Sequence, residues 1–540
     1  MLIDARHLSK SIGSKTLFTD LSLHIENGEK VALIGRNGEG KSTILNILGS
    51  QDQDYLGDIS RQKGLVTVLT SQEHLDQGSS TPLSYILASV PHYFEYQQII
   101  TGYEQGSHTD LDRFSEALEY FSTHGYYQVE DRILATLADF QIPTELATGP
   151  FSTLSGGEKR FVELVRMMYA SADLLLIDEP TNHMDYIGKS RFISWLDSLH
   201  EGVLVVTHDR DVLAHVSRII ELKDGQIYSF PGNYEAYLKQ NALNTTSSVV
   251  LYQNQLRRLA EAKKKVDWGL QMRAKSKAWK IRYDHWKRDY DKIKAETVKP
   301  SFWIDQDSVG DLGKNITDSY HQFKEKNVQI KTLESKERHT QLLKIKDLSL
   351  GYDSPLFAKM SFTVNTGNRT FIKGRNGAGK STLVRGIIAQ YQEETPASTT
   401  YEGEIKLAKT LRIGEYTQEL DSAYLTLTLE QAVHHAYEQL DMGIDDMTLK
   451  KTLSQYLFDP SVDGKLRMTS LSGGQKARFQ LIRMFANNPN LLILDEPTNH
   501  LDLPSIEELE NALLTYQGGI IYISHDTHFI DKLAGEVITL

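Results

Sequence analysis

The chain has 540 residues, a formal net charge of −12 and no cysteine. This length predicts two or three domains, and the lack of cysteine excludes disulfides, thiol catalysis and zinc–thiolate sites. No segment has the run of about 18 apolar residues that a membrane span needs, and residues 1–10 lack the apolar core of a signal peptide. We therefore expect a cytosolic protein that is not itself a membrane channel or carrier.

A glycine-rich loop follows the first apolar run of the chain. Residues 31–34 are apolar and predict a buried strand, residues 35–42 read GRNGEGKS, and residues 43–48 predict a helix. Strand, glycine loop and helix form the context that a phosphate-binding loop requires, with Lys41 on the β- and γ-phosphates and the Ser42 hydroxyl on Mg²⁺. The predicted nucleotide contacts here are Gly35, Asn37, Gly38, Gly40, Lys41, Ser42 and Thr43.

Two acids and a histidine end later apolar runs of the first half. Residues 174–177 suit a central parallel strand that is buried on both faces, and Asp178 and Glu179 follow at the sheet edge where ligands bind. Asp178 is predicted to hold Mg²⁺ through water, and Glu179 to act as the base for the attacking water. His208, after the run 203–206, is predicted to sense the γ-phosphate. The alternatives are a capping role for the acids and a structural role for the histidine.

Two further segments of the first half carry weaker signals. Gln72 lies between the phosphate loop and the segment Leu-Ser-Gly-Gly-Glu at 154–158, and is a candidate ligand of Mg²⁺ and water rather than a plain surface residue. Residues 85–125 predict two short helices around Gly106, inserted into the domain. The alternative for this insertion is a loop of variable length.

A basic segment separates the two halves. Residues 257–299 contain 15 Lys or Arg and 6 Asp or Glu, a local charge of +9 in an acidic chain. With few glycines and no proline before Pro300, they predict a helical hairpin that turns near Gly269. Basic side chains interleaved with aromatic ones suit contact with RNA, whereas a solvated helical face whose Trp residues join the hairpin is the alternative. The set consists of Arg273, Lys275, Lys277, Lys280, Arg282, Trp279 and Tyr283.

The motifs return in the same order in the second half, which identifies an internal duplication. The phosphate loop recurs 339 residues later, but the other motifs recur 317 residues later, so the first half has 22 extra residues, which we assign to 85–125. The second loop and its helix supply Gly374, Asn376, Gly377, Gly379, Lys380, Ser381 and Thr382. The second-half counterparts of Asp178, Glu179, His208 and Gln72 are Asp495, Glu496, His525 and Gln418.

Together these motifs resemble the ATP-binding cassette superfamily, which the Leu-Ser-Gly-Gly segment distinguishes from other phosphate-loop ATPases. The resemblance implies an α/β fold of two tandem cassettes (P-loop NTPase domains) joined by the basic α-helical hairpin, and ATP and Mg²⁺ as ligands. Residues 1–240 and 343–540 would be the cassettes and 241–342 the linker. The cassettes would pair head to tail within one monomer. Ser155, Gly156 and Gly157 would complete the site built on Lys380, and Ser472, Gly473 and Gly474 the site built on Lys41.

The family stacks the adenine on an aromatic side chain that precedes the phosphate loop. Tyr352 has this position in the second half, but Ile12 has it in the first. Stacking at the first site would therefore be weaker or come from Phe18. The first loop also carries a carboxylate, Glu39, where the second has Ala378.

The cassette pair without membrane domains, the charged linker, and Asp-Glu-Pro-Thr-Asn-His followed by Met184-Asp185 or Leu501-Asp502 resemble the ABC-F subfamily. Its members are mostly translation factors that bind the ribosome near the tRNA exit site and extend the linker toward the peptidyl-transferase centre. The resemblance implies an ATPase that modulates translation and contacts rRNA and tRNA through residues 257–299. A housekeeping translation factor and a protein that protects the ribosome from antibiotics are the two alternatives, and the long linker modestly favours the second.

Two other classes are the alternatives to a ribosomal ATPase. An ATPase subunit of a multi-chain transporter would not need the basic hairpin. A DNA-repair or chromosome-structure ATPase would carry long coiled coils or zinc-binding cysteines.

Overall fold

The computed structural model describes residues 1–13, 15–70, 80–105, 110–182, 184–296, 340–417, 420–499 and 501–540. The first-half strands are β1 (Ile3–Ile12), β2 (Lys15–Ile25), β3 (Lys30–Gly35), β4 (Leu56–Arg61), β5 (Thr67–Leu69), β6 (Leu174–Asp178), β7 (Gly202–Val206), β8 (Arg218–Lys223) and β9 (Gln226–Pro231). The second-half strands are β10 (Gln341–Gly351), β11 (Met360–Asn365), β12 (Arg369–Lys373), β13 (Thr399–Leu407), β14 (Ile413–Tyr416), β15 (Leu491–Asp495), β16 (Gly519–Ile523) and β17 (Glu536–Thr539).

Each half contains one mainly parallel sheet and one small antiparallel sheet. The large sheets have the orders β5-β6-β7-β3-β8-β9 and β14-β15-β16-β12-β17, and only the β8–β9 pair in them is antiparallel. The small sheets have the orders β2-β1-β4 and β11-β10-β13. The strand order of one half thus repeats in the other, which confirms the α/β fold with two tandem cassettes.

Burial on both faces explains why the central strands are apolar throughout. In β3, Val31 and Leu33 pack with the small antiparallel sheet, whereas Ala32 and Ile34 pack with the helices on the opposite face. All five residues of β6 are buried. Parallel strands covered on both sides read as continuous hydrophobic runs, and their carboxyl ends gather the polar residues that follow them at one edge.

The helices surround these sheets. In the first half they span Lys41–Leu48, Pro82–Leu87, Tyr93–Glu104, Leu111–Thr123, Val129–Asp139, Thr144–Thr148, Gly156–Tyr169, Tyr186–Ser198 and Arg210–Leu213. In the second half they span Lys380–Gln392, Ser422–Leu425, Leu429–Glu438, Asp446–Gln455, Gly473–Phe485, Leu503–Thr515 and Thr527–Leu533. The helices Tyr93–Glu104 and Leu111–Thr123 lie within the predicted insertion, where the Tyr103 and Phe114 rings stack 4.1 Å apart. The domain limits themselves stay a prediction.

Two long helices leave the first cassette as an antiparallel pair. They span Tyr234–Met272 and Lys277–Glu296, so the chain turns at residues 273–276. The hairpin turn predicted near Gly269 is therefore present but begins four residues later, and this glycine itself lies inside the first helix. Its missing side chain serves packing instead, since a Cβ there would lie 3.1 Å from the Trp286 ring of the second helix.

Aromatic rings join the two linker helices near their turn. The Trp268 ring lies 4.9 Å from the Trp279 ring and 5.8 Å from the Trp286 ring, across the pair. Arg273 and Arg282 lie over the rings of Tyr283 and Trp279. The basic side chains at 273, 275, 277, 280 and 282 are exposed. The aromatic residues thus join the hairpin, as the alternative interpretation expected, while the cations face outward.

No helix in the described ranges is both long enough and apolar enough to cross a membrane.

Candidate functional site

Both phosphate loops use glycine conformations that place a lysine at a helix N-terminus. Gly40 and Gly379 are the N-caps of the helices that follow, with φ of 107° and 93°, in the left-handed region that favours glycine. Lys41 Nζ donates to the carbonyl oxygens of Gly35 and Arg36 at 2.7 and 3.1 Å. Lys380 Nζ repeats this, with two loop carbonyl oxygens at 2.9 Å. Each ammonium is therefore held inside its loop, next to the backbone N–H groups.

The two predicted bases follow β6 and β15 in an unusual backbone conformation. Glu179 and Glu496 have φ of 46° and 51°, a region that costs energy for a residue with a side chain and often marks functional positions. The Glu179 N–H donates to Val206 O at 2.8 Å, which fixes this turn against β7. The predicted histidines lie beside these acids, because His208 Nε2 is 3.7 Å from Glu179 and His525 Nε2 is 3.2 Å from Glu496.

Burial sets the protonation of these four side chains. It raises the pKa of Glu179 to about 8, with the charge of Lys41 opposing the shift. Burial also raises the pKa of Glu496, and it lowers the pKa of His525 to about 3 and that of His208 in the same direction. Both imidazoles are therefore neutral at physiological pH, and both glutamates are stronger bases than usual.

The Leu-Ser-Gly-Gly segments form the N-termini of two long helices. The Ser155 hydroxyl accepts the Glu158 N–H at 3.3 Å, and the Glu158 carboxylate accepts the Ser155 N–H at 2.7 Å. Ser472 and Gln475 form the same pair of bonds at 3.3 and 3.0 Å. This reciprocal cap explains why Glu or Gln follows each serine by three residues. The two glycines that follow each serine form the first residues of the helix.

Contacts between the halves bring each phosphate loop to the motifs of the other half. A Cβ on Gly474 would overlap the side chain of Asn37 in the first loop. Asp502 Oδ2 lies 3.5 Å from Asn37 N, and Asp185 Oδ2 lies 3.3 Å from Asn376 N. These two aspartates follow the repeated acid motif, so this contact between the halves is itself duplicated.

One cavity of about 1210 Å³ lies between the halves and collects most of the predicted site residues. The first half contributes Asn37, Gly38, Ser42, Ser155, Gly157, Asp178, Glu179 and His208 to its lining. The second half contributes Asn376, Gly377, Gly379, Lys380, Ser381, Ser472, Gly473, Gly474, Asp495, Glu496 and His525. The arrangement suits two phosphate-bearing ligands, since each set combines a glycine loop, an acid pair and a helix N-terminus.

Some predicted residues lie beside this cavity rather than in its lining. Gly35, Gly40, Lys41, Thr43, Gly156, Gly374 and Thr382 belong to the same loops and helix starts. Gln72 and Gln418 lie outside the described residues, so their proposed role as ligands stays a prediction.

The aromatic residues near the two loops differ between the halves. Tyr352 is 47% exposed and accessible for stacking, and its carbonyl oxygen accepts the Tyr401 hydroxyl at 2.6 Å. Phe18 is only 1% exposed and packs under the first loop, where a Cβ on Gly40 would lie 3.3 Å from its ring. The expectation that Phe18 could stack the adenine is therefore wrong, because this ring belongs to the core.

Glu39 stabilises the first phosphate loop from within. Its Oε2 accepts the Arg36 N–H at 2.9 Å, so the carboxylate folds back onto its own loop. Burial raises its pKa to about 7, against the opposing charges of Lys41 and Arg36. Ala378 leaves this bond unmade in the second loop, and the two loops differ in charge at this position.

Sequence reasoning missed two residues of the site. The Arg160 guanidinium donates to the carbonyl oxygens of Asp178 and Glu179 at 2.8 and 2.6 Å. The Lys189 ammonium donates to the carbonyl oxygen of His525 in the other half at 2.7 Å. A comparison of the two halves could have indicated both residues, because they are not repeated. The residue 317 positions after Arg160 is Ala477, and the residue 317 positions after Lys189 is Ile506.

The oxygen ligands at each loop suit a magnesium ion that shares its shell with phosphates and water. The Ser381 hydroxyl hydrogen-bonds the Asp495 carboxylate, so a hydroxyl and a carboxylate already meet at the second loop. Among the residues that the structure describes, no group of three or more His, Cys, Asp or Glu could hold a metal on its own. In proteins, Mg²⁺ keeps several waters and binds through one or two carboxylates plus phosphate oxygens.

A protein-family model described as "ABC transporter" matches the chain twice, over residues 18–182 and 357–499. The two matches include both phosphate loops, both signature segments and both acid pairs. The chain belongs to the ABC transporter family. Membership in this family assigns an ATPase domain to each half.

Curated relatives are similar to this chain over nearly its whole length. The ATP-binding protein YdiF of Bacillus subtilis is 29% identical over 559 residues, covering 100% of this chain and 80% of the relative. The energy-dependent translational throttle protein EttA of Mycobacterium tuberculosis is 28% identical, covering 99% and 90%. ABC transporter F family member 5 of Arabidopsis thaliana is 27% identical, covering 99% and 74%. These relatives confirm the resemblance to the ABC-F subfamily.

Solved structures confirm the tandem-cassette fold. The archaeal ribosome recycling factor aABCE1, in complex with the ribosomal stalk protein aP1, has a TM-score of 0.58 at 14% identity, covering 99% of this chain and 87% of that one. A structure titled RNase-L Inhibitor gives the same TM-score at 15% identity.

Proposed function

We propose that this chain is an ABC-F-type ATPase that binds the ribosome and modulates translation through ATP binding and hydrolysis at two composite sites. The observation that carries the ribosomal part is the similarity to EttA, a relative named as a translational throttle, over 99% of this chain. That alignment includes the linker as well as both cassettes. A ribosomal partner in turn implies a cytoplasmic location.

Each ATP is held between the phosphate loop of one cassette and the signature helix of the other. The contact of Gly474 with Asn37, and the paired contacts of Asp502 and Asp185 with the opposite loops, support this sharing. The N-termini of the helices Gly156–Tyr169 and Gly473–Phe485 direct N–H groups and the positive end of the helix dipole at the γ-phosphate. Lys41 and Lys380 turn from their loop carbonyls to the phosphate oxygens.

Hydrolysis requires a base for the attacking water. In their deprotonated forms, Glu179 and Glu496 accept its proton, and their raised pKa values make these carboxylates stronger bases than an ordinary glutamate. His208 and His525, neutral because they are buried, donate an N–H to the γ-phosphate without competing for that proton. Arg160 holds the carbonyl oxygens of the first acid pair and thereby positions Glu179.

Ser42 with Asp178, and Ser381 with Asp495, would hold Mg²⁺ at the two sites, with Gln72 and Gln418 as further ligands. When bound, the ion neutralises charge on the β- and γ-phosphates.

The linker is the part that contacts RNA. Its exposed cations at the turn can pair with phosphates, and the packed Trp rings stiffen the hairpin behind them. Because the hairpin continues directly from β9 of the first cassette, closure of the cassettes on ATP would move it as a rigid arm. Protection of the ribosome from an antibiotic by this arm is a further part of the proposal.

Co-sedimentation with purified ribosomes in a non-hydrolysable ATP analogue tests the proposal. We expect the protein to pellet with ribosomes when the analogue is present and to stay largely in the supernatant without nucleotide. A transporter subunit or a DNA-repair ATPase would show no such dependence. Absence from the ribosomal pellet in both conditions would exclude the ribosomal role and leave the ATPase assignment standing.

A further inference from the structure

The two composite sites differ in a buried polar cluster between the halves. Lys189 belongs to the helix Tyr186–Ser198 of the first cassette and is 6% exposed. Its ammonium lies 2.9 Å from Asp209 Oδ2, 3.0 Å from Asp211 Oδ2 and 2.7 Å from the His525 carbonyl oxygen. An ammonium has three N–H donors, so these partners use all of them. The cluster therefore has one defined geometry.

This cluster joins the loops that carry the two histidines. Asp209 directly follows His208, and it caps the short helix Arg210–Leu213 by accepting the Asp211 N–H at 3.0 Å. Asp211 in turn accepts the Thr527 hydroxyl from the second cassette. Lys189 lies at the centre, with its carboxylate partners in the first half and its carbonyl partner in the second.

The duplication does not repeat this arrangement. The position 317 residues after Lys189 is Ile506, and the position after Asp211 is His528. The contacts of Asp185 and Asp502 with the opposite phosphate loops are repeated, with distances of 3.3 and 3.5 Å. Within the part of the chain that the structure describes, this link from a buried lysine to a histidine backbone is therefore found at one site, the one built on Lys380.

We propose that Lys189 is a positioning residue for the site built on Lys380, where it holds the backbone of His525 in place, and that the site built on Lys41 has no equivalent. The proposal rests on the ATPase function given above. His525 Nε2 lies 3.2 Å from Glu496, so a shift of the His525 backbone changes the spacing between histidine and base. Small misplacements at a reacting centre lower rates by up to about 100-fold.

Two single-site backgrounds separate the sites. The Glu179→Gln protein retains a base only at the Lys380 site, and the Glu496→Gln protein retains one only at the Lys41 site. We expect Lys189→Met to lower kcat at least about tenfold in the Glu179→Gln background, with little change in the KM for ATP. The same substitution should lower kcat by a smaller factor in the Glu496→Gln background, because Lys189 pairs with the Asp209 side chain next to His208 but donates to the backbone of His525. Lys189→Arg, which keeps the charge and the donors, should restore much of the loss.

Arg210→Met is the matched control. Arg210 also forms a buried ion pair between the halves, with Glu510 at 2.8 Å, but within the described residues it forms no hydrogen bond or ion pair with either histidine. Both Met variants remove a cation from a buried pair and should lower the Tm. Only Lys189→Met should lower kcat more in the Glu179→Gln background than in the Glu496→Gln background. If Lys189→Met does not fold, Lys189→Gln carries the same comparison.

Equal loss of kcat in both backgrounds, or the same selectivity in Arg210→Met, would overturn the proposal and leave Lys189 as a general interface contact. Unchanged kcat in the Glu179→Gln background would overturn it as well. A different result, inactivity of the Glu179→Gln protein with Lys189 intact, would instead contradict the proposed hydrolysis at the Lys380 site.

Discussion

Glu179 and Glu496 are buried beside the phosphate loops, and their burial should make the stability of the folded protein depend on pH. Without nucleotide, the folded protein keeps a proton on Glu179 up to about pH 8, and the pKa of Glu496 is raised in the same direction. The unfolded chain releases these protons near the ordinary glutamate pKa of about 4.3. Folding therefore takes up protons in this window, and the stability falls as the pH rises toward 8.

The Glu179→Gln, Glu496→Gln double variant should lose the part of this dependence that comes from these two acids, while buried Glu39, with a pKa of about 7, contributes equally in both proteins. The difference in Tm between the variant and the wild type should increase as the pH rises from 6.5 to 8. The buried histidines have lowered pKa values, so their effect on the pH dependence of stability lies below this range. Glu438→Gln with Glu536→Gln removes two exposed carboxylates and serves as the control. Scanning calorimetry at several pH values gives the comparison, and a constant Tm difference would contradict the assigned pKa directions.

The signature helices are the elements through which one half completes the other. Gly474 lies in the first turn of the second such helix, Gly473–Phe485, and a Cβ there would overlap Asn37 of the opposite loop. In the Glu496→Gln background, where only the Lys41 site retains its base, Gly474→Ala should lower kcat by at least about tenfold. Gly443→Ala is the control, since a Cβ at Gly443 meets nothing within 4 Å. Equal ATPase rates for the two alanine variants would contradict the shared site.

The helical elements also mark the limit of sequence reasoning. The phosphate loops, acid pairs and histidines were predictable because local spacing defines them, and apolar runs define the strands that precede them. The hairpin turn was predicted only to within a few residues, because a glycine that opens a turn and a glycine that makes room for a Trp ring, as Gly269 does, look alike in sequence. The roles of Phe18 in the core and of Lys189 beside His525 could not be predicted, because they depend on residues far away in sequence that only the tertiary structure brings close.

At the level of the whole molecule, a protein with a net charge of −12 has a segment, residues 257–299, with a local charge of +9. Replacing Arg273, Lys275 and Lys277 by Ala should weaken ribosome binding and reduce its salt dependence by about one unit of slope per lost phosphate contact. The control removes three exposed lysines from the second cassette, Lys409, Lys450 and Lys451. ATP affinity should stay unchanged in both variants. Identical ribosome pelleting of the two variants across a salt series would reduce the hairpin to a spacer.

The most direct test joins nucleotide state to ribosome binding in one protein. The Glu179→Gln, Glu496→Gln variant should bind ATP but not hydrolyse it, because an amide cannot accept the proton of the attacking water. Its retention on purified ribosomes is measured by pelleting with ATP, with ADP and without nucleotide, next to the wild-type protein. We expect ATP to hold the variant on ribosomes through repeated washing, while wild type dissociates as it hydrolyses ATP. Wild-type ATPase activity in the variant, or equal ribosome retention in all three nucleotide conditions, would contradict an ATPase cycle that controls ribosome binding.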